Sequence, residues 1–248
     1  MHPQTVSLLL DLNARFYRDF GRAFAATRRR VQPGVQRAAV ALPRAASWLD
    51  LGCGSGQLAR FLARAGFTGS YLGLDSSPEL LAEAGESPPQ AADFSVAFRL
   101  ADLASPGWAA GLSPGSWQVI SCFAVLHHLP GIELRARILR QARLLLAEGG
   151  RLVHSVWQFQ HSPKLSARVL PWERAGLAPA DVDPGDTLLD WRYVLPGQPQ
   201  QVGLRYVHLY TRAELALLAE TCGFTVEASY ESDGAGGRLG LYQVWRGI

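Results

Sequence analysis

Ser47-Trp48-Leu49-Asp50-Leu51-Gly52-Cys53-Gly54-Ser55-Gly56 is the stretch on which the reading of this chain turns. Its first half is mostly apolar and its second half places glycine at every other position, after which Gln57-Leu58-Ala59-Arg60-Phe61-Leu62 resumes with helical spacing. A buried strand, a glycine turn and a helix start follow one another. Glycine is needed in such a turn because a residue without a Cβ lets the backbone bend sharply and approach a ligand closely, while the helix N-terminus supplies N–H donors. The build is that of a nucleotide-type site. A pyrophosphate-binding turn needs G-x-G-x-x-G, and the third glycine of that pattern would fall at Gln57. Asp50, two places before Gly52, would repel a pyrophosphate and suits a cationic ligand.

Working outward, Leu58 to Ala65 reads as the first crossover helix and residues 70–74 as the next strand, which ends at Asp75. Asp75 lies 25 residues after Asp50, near the roughly 20-residue interval at which an acidic side chain meets a ribose in nucleotide folds. A carboxylate at a strand tip can accept from both hydroxyls of a ribose diol. Ser76-Ser77-Pro78-Glu79 then starts a helix, with proline in its first turn. Phe94 to Leu100 and Trp117 to Phe123 make the third and fourth strands, the third followed by Asp102-Leu103 and the fourth by Leu126-His127-His128-Leu129. Ile132 to Leu146 is a helix whose Arg135, Arg137, Arg140 and Arg143 are expected on a solvated face, and Arg151 to Trp157 is the fifth strand. Neighbouring histidines on a helix point about 100° apart and do not readily share an ion, so no metal site is expected.

Strands alternating with helices, without an internal repeat, demand a parallel sheet. The expected organisation is a single domain: an N-terminal helical cap over 1–45, a ligand-binding core over 46–158, a substrate lid over 159–210, and a helix with an antiparallel hairpin over 211–248. The cap rests on apolar residues at helical spacing from Val6 to Phe24, and on a break at Pro33-Gly34. The lid rests on a loss of periodicity between about Phe159 and Leu204, where six prolines occur among Trp172, Trp191 and Tyr193.

Asp50-Leu51-Gly52-Cys53-Gly54-Ser55-Gly56 resembles the first motif of class I S-adenosylmethionine-dependent methyltransferases, acidic-x-Gly-x-Gly-x-Gly, at every fixed position. The resemblance implies a doubly wound α/β fold, Rossmann-like, with a mostly parallel seven-stranded sheet, helices on both faces and a C-terminal antiparallel hairpin. It implies S-adenosyl-L-methionine as cofactor, with Asp50, Gly52, Cys53 and Gly54 at the turn, and Asp75 and Ser76 at the ribose. Asp102 and Leu103 would then lie at the adenine, and Phe123 and His128 near the sulfonium. A narrower resemblance, to the tRNA methyltransferases that esterify a carboxymethyl group on the wobble uridine, is carried by three stretches. These are Tyr17 with Phe24-Ala25-Ala26-Thr27-Arg28, Gly185 to Arg192, and Arg205-Tyr206-Val207-His208-Leu209-Tyr210. It implies Tyr17 and Arg28 near the cofactor, Arg205 and His208 positioning the acceptor, and a small zinc-binding activator protein as partner. A carboxylate acceptor is already ionised at neutral pH, so its attack needs in-line placement and a cationic clamp but no general base. A small-molecule acceptor, and a cofactor-binding scaffold without turnover, are the alternatives.

The 248 residues are 48% hydrophobic and 18% charged, which excludes a disordered chain. The net charge of +3 conceals an uneven distribution, since residues 14–44 carry eight arginines against the single acid Asp19. That arm is a candidate phosphate-binding surface. A bias toward arginine explains it equally well, because Lys164 is the only lysine among 24 basic residues. Cys53, Cys122 and Cys222 are odd in number and widely spaced, which fits a reducing cytoplasm and no disulfide framework. The early Val6 to Leu10 run is too short to span a membrane and lacks the basic flank of an export signal.

Overall fold

A computed structural model gives the fold and describes residues 1–26, 30–194 and 200–248. The opening strand is β1 (Ala45–Leu51), followed by β2 (Thr68–Asp75), β3 (Phe94–Leu100), β4 (Trp117–Phe123) and β5 (Leu146–Trp157). These five pair in parallel, and two later strands, β9 (Phe224–Ser232) and β10 (Gly240–Gly247), complete a seven-stranded sheet of order β3-β2-β1-β4-β5-β10-β9. β10 runs antiparallel to both of its neighbours and forms the expected C-terminal hairpin. β1 is paired to β2 on one side and to β4 on the other, so the strand order reverses there. Ligands bind outside the carboxyl ends of strands at such a switch point.

Alternation along the central strands sends side chains to two cores. Leu49, Leu51 and Ile120 face α5 (Ile132–Leu145) and α7 (Arg212–Thr221). Trp48, Tyr71 and Val119 face α2 (Pro33–Val40) and α3 (Gln57–Arg64). Both faces of the sheet are thereby covered, as parallel strands require. The helix after β2, α4 (Pro78–Glu86), begins where Ser77 Oγ accepts from Leu80 N at 3.3 Å, with Pro78 at its first position. α7 begins in the same way, Thr211 accepting from Glu214 N at 3.1 Å.

The long α1 (Pro3–Ala26) packs on β8 and on α4. Asn13 fastens it: its amide donates to the carbonyls of His128 and Tyr206 at 3.1 and 3.2 Å, and its oxygen accepts from Tyr206 N at 2.9 Å. Further along, Gly21 lies 3.8 Å, measured from the position of a Cβ, from Leu80 of α4.

The stretch expected to be an irregular lid contains a second sheet. After a single helical turn, α6 (Pro163–Ser166), β6 (Val169–Leu170), β7 (Asp186–Tyr193) and β8 (Gln201–His208) form an antiparallel three-stranded sheet. Leu188, Leu189 and Asp190 are buried in succession, so β7 has no alternating polar face for periodicity to reveal. The expected solvated face of α5 is also corrected at one position. Arg135 is buried and turned into the junction between the two sheets, because carboxylates and carbonyls there take its guanidinium. Among the described residues no helix is long and apolar enough to cross a membrane.

Candidate functional site

The turn after β1 is tied to the end of β2, since Gly52 N and Cys53 N both donate to the Leu74 carbonyl at 2.8 and 2.9 Å. Gly52, Gly54 and Gly56 all have positive φ, at 78°, 54° and 75°, which side chains rarely adopt. Their surroundings differ. A Cβ on Gly52 would lie 2.3 Å from Val125 Cγ2 and one on Gly56 2.9 Å from Phe98, whereas one on Gly54 would have nothing within 4 Å. The open side of the turn is therefore at Gly54. Arg60 braces the other side by donating to the carbonyls of Ser55 and Glu83.

Asp50 points beneath the turn. Its carboxylate is 3% exposed and accepts from Tyr71 Oη at 2.6 Å and from Ser121 Oγ at 2.5 Å. Burial outweighs these bonds and pushes its pKa up to about 6. Cys53, beside it, is held as a thiol by burial and by the nearby acids. Asp75 is closer to the open side: Oδ2 accepts from Gly54 N at 2.8 Å and Oδ1 from Ser77 N at 2.9 Å. Burial raises its pKa, against the pull of those backbone N–H groups. One carboxylate thus joins the glycine turn to the start of α4.

Next to Asp75, a shallow cavity of about 520 Å³ is lined by Ser76, Ala101, Asp102 and Trp108. Asp102 is exposed and accepts from Ala104 N at 2.9 Å, while Leu103 is buried. Arg99 stiffens the far wall through the carbonyls of Ala110 and Trp108.

At the tip of β4, Phe123 packs toward Tyr242 with ring centroids 6.2 Å apart. Ala124, which follows, has φ 57° and donates to both the carbonyl and the hydroxyl of Ser155. A strained non-glycine residue at this point marks a site, and no pattern of residue types signals it in the sequence. His127 is buried and its Nδ1 accepts from Trp157 N at 3.2 Å. His128 is half-buried; its Nδ1 meets the Tyr206 carbonyl at 3.1 Å, and its ring meets that of Tyr17 edge-on at 5.9 Å. A donor is needed opposite a carbonyl, so this contact places the proton of neutral His128 on Nδ1.

Arg205 of β8 lies behind these rings. It is 3% exposed, and its guanidinium sits 5.0 Å from the Phe16 ring and 5.2 Å from the Trp157 ring. Both distances are within the roughly 6 Å reach of a cation–π contact. His208, expected beside Arg205, faces away. Side chains three residues apart on a strand take opposite faces, and both nitrogens of His208 are engaged by Asp186 and Glu214 at 2.7 and 2.6 Å. Arg28 lies outside the described residues. Around the open side of the turn the fold therefore gathers Gly54, Asp75, Ser76 and Asp102, with Phe123, Tyr17 and His128 farther along and Arg205 in the wall beyond.

Sequence reasoning passed over Asn13, which fastens α1, and Trp157, which it treated only as a strand end. A polar side chain on the apolar face of an amphipathic helix is the signal that could have found Asn13.

Comparison with known proteins agrees with this geometry. A family model described as a methyltransferase domain matches residues 23–229. A curated protein, the trans-aconitate 2-methyltransferase of Variovorax paradoxus, is 37% identical over 102 residues, which is 41% of this chain and 34% of that protein. The match thus spans about a third of that relative's length. Among solved structures, an S-adenosylmethionine-dependent methyltransferase from Methanosarcina mazei superposes with a TM-score of 0.63 at 21% identity, over 88% of this chain and 99% of that one. The magnesium protoporphyrin IX methyltransferase of Synechocystis, solved with bound S-adenosylhomocysteine, gives 0.56 at 19% identity over 85% and 78%. With a glycine turn opening at Gly54, an acid at the tip of the next strand and a family model spanning most of its length, the chain belongs to the methyltransferase-domain family.

Proposed function

We propose that the acceptor is a small anionic molecule and that a carboxylate on it is methylated. Arg205 carries this reading: a cation enclosed by Phe16 and Trp157 in the wall beyond His128 attracts an anion far more strongly than a solvated arginine does. The curated relative named for trans-aconitate, whose acceptor is a carboxylic acid, points the same way.

The donor site fits S-adenosylmethionine on this chain's own features. The space at Gly54 admits a ligand against backbone, Asp75 offers a carboxylate to a ribose diol, and Ser76 and Asp102 line the hollow suited to an adenine. Asp50 supports the turn from beneath, and acts on a cation above it through its charge rather than by contact. When bound, the cofactor supplies an electrophilic methyl group on a sulfonium. Arg205 orients the acceptor carboxylate, and Tyr17, His128 and Phe123 exclude water from the space between. A carboxylate needs no base to attack, so catalysis here is placement in a dry site. Cys53, Cys122 and Cys222 are all free thiols, which agrees with a reducing, cytoplasmic setting.

A second reading, a carboxymethyl group on tRNA with a zinc-binding activator as partner, draws on the same anionic chemistry. It is favoured by the exposed Arg15, Arg18 and Arg30. The two separate in one experiment: the full chain is incubated with methyl-labelled S-adenosylmethionine and either a panel of di- and tricarboxylic acids or total tRNA. The expected result is base-labile label in a small acid, abolished in Arg205→Met while S-adenosylhomocysteine still binds. Label confined to tRNA, with an affinity that falls steeply as salt rises, would overturn the small-acid reading.

A further inference from the structure

Away from the cleft, the charged groups that the reaction does not use gather at the junction of the two sheets. Arg135 comes from α5, Asp186 from the start of β7, Tyr206 and His208 from β8, and Glu214 from the first turn of α7. His208 Nδ1 lies 2.7 Å from Asp186 Oδ1, and Nε2 lies 2.6 Å from Glu214 Oε1. Arg135 faces the same two oxygens at 3.6 and 3.7 Å, and donates to Tyr206 Oη at 2.8 Å. The Tyr206 hydroxyl donates in turn to Asp186 Oδ1 at 2.6 Å. Tyr210 closes the cluster, edge-on to His208 at 4.6 Å and 5.1 Å from the Arg135 guanidinium carbon. Arg135 and His208 are each 1% exposed.

The geometry restricts the protons. A neutral imidazole has one N–H and one lone pair, yet each nitrogen of His208 meets a carboxylate oxygen within hydrogen-bond distance. A lone pair aimed at a carboxylate is repulsive, so an extra proton must reside on the ring or on an acid. Both acids already face other donors, Arg135 beside each and the Tyr206 hydroxyl on Asp186 Oδ1, so a proton on either acid would point at a donor. The ring therefore takes the proton. Arg135 and His208 then balance Asp186 and Glu214, which is the condition under which buried charges are tolerable.

We propose that His208 is a positioning residue, an imidazolium donating to both Asp186 and Glu214, whose charge fastens the three-stranded sheet and its Arg205 to α5, α7 and the segment carrying His128. The route to that segment is explicit. Arg135 Nε donates to the Leu129 carbonyl at 2.7 Å, and the Tyr206 carbonyl meets His128 Nδ1. Loss of the His208 proton turns one donor into a lone pair facing a carboxylate, and the small sheet loosens.

The direction of the His208 pKa agrees. Burial lowers it, but the bonds to Asp186 and Glu214 outweigh burial and the neighbouring Arg135, so it stands above 6.5. A folded-state pKa above the unfolded one gives stability that is complete below the unfolded value and lost as pH rises through the folded value. The loosening is therefore alkaline.

The test depends on neither acceptor nor cofactor. The full chain labelled with ¹⁵N-histidine has six histidines; one ring, absent from the spectrum of His208→Gln, is expected to keep both nitrogens protonated at about pH 7.5, where an ordinary imidazole is neutral. Thermal stability of the unmodified protein should fall as that ring titrates. Glu214→Gln provides the control that still folds, because the amide can donate to Nε2 and satisfy a neutral ring. In it the ring should lose its proton at lower pH and the alkaline fall in stability should disappear. The same shift identifies the resonance if His208→Gln does not fold. A His208 ring neutral at about pH 6.5 in the unmodified protein, or an alkaline fall that Glu214→Gln leaves unchanged, overturns the proposal.

Discussion

Gly54→Ala separates the ligand's demands on the glycine turn from those of the fold. Gly54 has φ 54° and nothing within 4 Å of the position a Cβ would take, while Gly52 has φ 78° and would place a Cβ 2.3 Å from Val125 Cγ2. Left-handed backbone costs an alanine roughly 1–2 kcal/mol at either position. At Gly52 overpacking adds roughly 1–3 kcal/mol, because Val125 must move. For a domain of this size 1 kcal/mol shifts Tm by about 2–4 °C. Gly54→Ala should thus melt roughly 2–8 °C below the unmodified protein and Gly52→Ala roughly 4–20 °C below. Calorimetric titration with S-adenosylhomocysteine supplies the second axis. Gly54→Ala should lose at least about ten-fold in affinity, or ~1.4 kcal/mol, since its methyl enters the space assigned to the ligand. Gly52→Ala combined with Val125→Ala should recover stability relative to Gly52→Ala alone. Unchanged affinity in a folded Gly54→Ala protein would refute the assignment of that space to the cofactor.

Asp75→Ala removes the acceptor for Gly54 N and Ser77 N together with the proposed ribose contact, so affinity for S-adenosylhomocysteine should fall about ten- to a hundred-fold; calorimetry showing no change would exclude Asp75 from the site. Arg135→Met leaves the buried Asp186 and the partly exposed Glu214 with one cation, and should destabilise the protein by roughly 3–5 kcal/mol in urea unfolding. His154, 0% exposed and edge-on to Trp245 at 4.4 Å, has its pKa driven down from 6.5 to about 3 by burial. A contact with Gln243 opposes this without outweighing burial. The unfolded chain takes up a proton at His154 first as pH falls, so stability should decline below the ordinary imidazole pKa by on the order of 1 kcal/mol per pH unit. His154→Phe should flatten this acid limb, and an acid limb identical in the two proteins would show that His154 does not set it.

The seven-stranded sheet was legible because its central strands are short apolar runs, of which β1 stops at a glycine turn and β2 at an acid. Trp48 to Asp50, Leu72 to Asp75 and Val119 to Phe123 read directly, and the caps at Ser77 and Thr211 mark helix starts by residue type. The small sheet was not legible. Its strands carry Asp190, Arg205 and His208 in buried positions, and polar residues read as loop unless their partners are known. Asp190 pairs with Arg168 and with Arg192 two places on, and His208 pairs with Asp186 and Glu214, but residue types alone do not show that these side chains face inward. In the proposed donor half, the glycine turn and Asp75 were legible from residue types and spacing, whereas Asp102 and Phe123 entered only through the resemblance to class I methyltransferases. The acceptor half depends on how β8 is registered against β7, which places Leu189 opposite Arg205, and on α1 lying across both. No local pattern encodes either arrangement.

Asn13 gives α1 a consequence beyond covering the cleft. The helix is anchored at His128 and Tyr206 through this one amide, and reaches Leu80 of α4 beside Asp75 at its other end. A displacement of α1 would reach the proposed ribose site and the proposed acceptor wall together. Two ligands that share one movable cover are thermodynamically linked, and the linkage is reciprocal: the factor by which the first tightens the second equals the factor by which the second tightens the first.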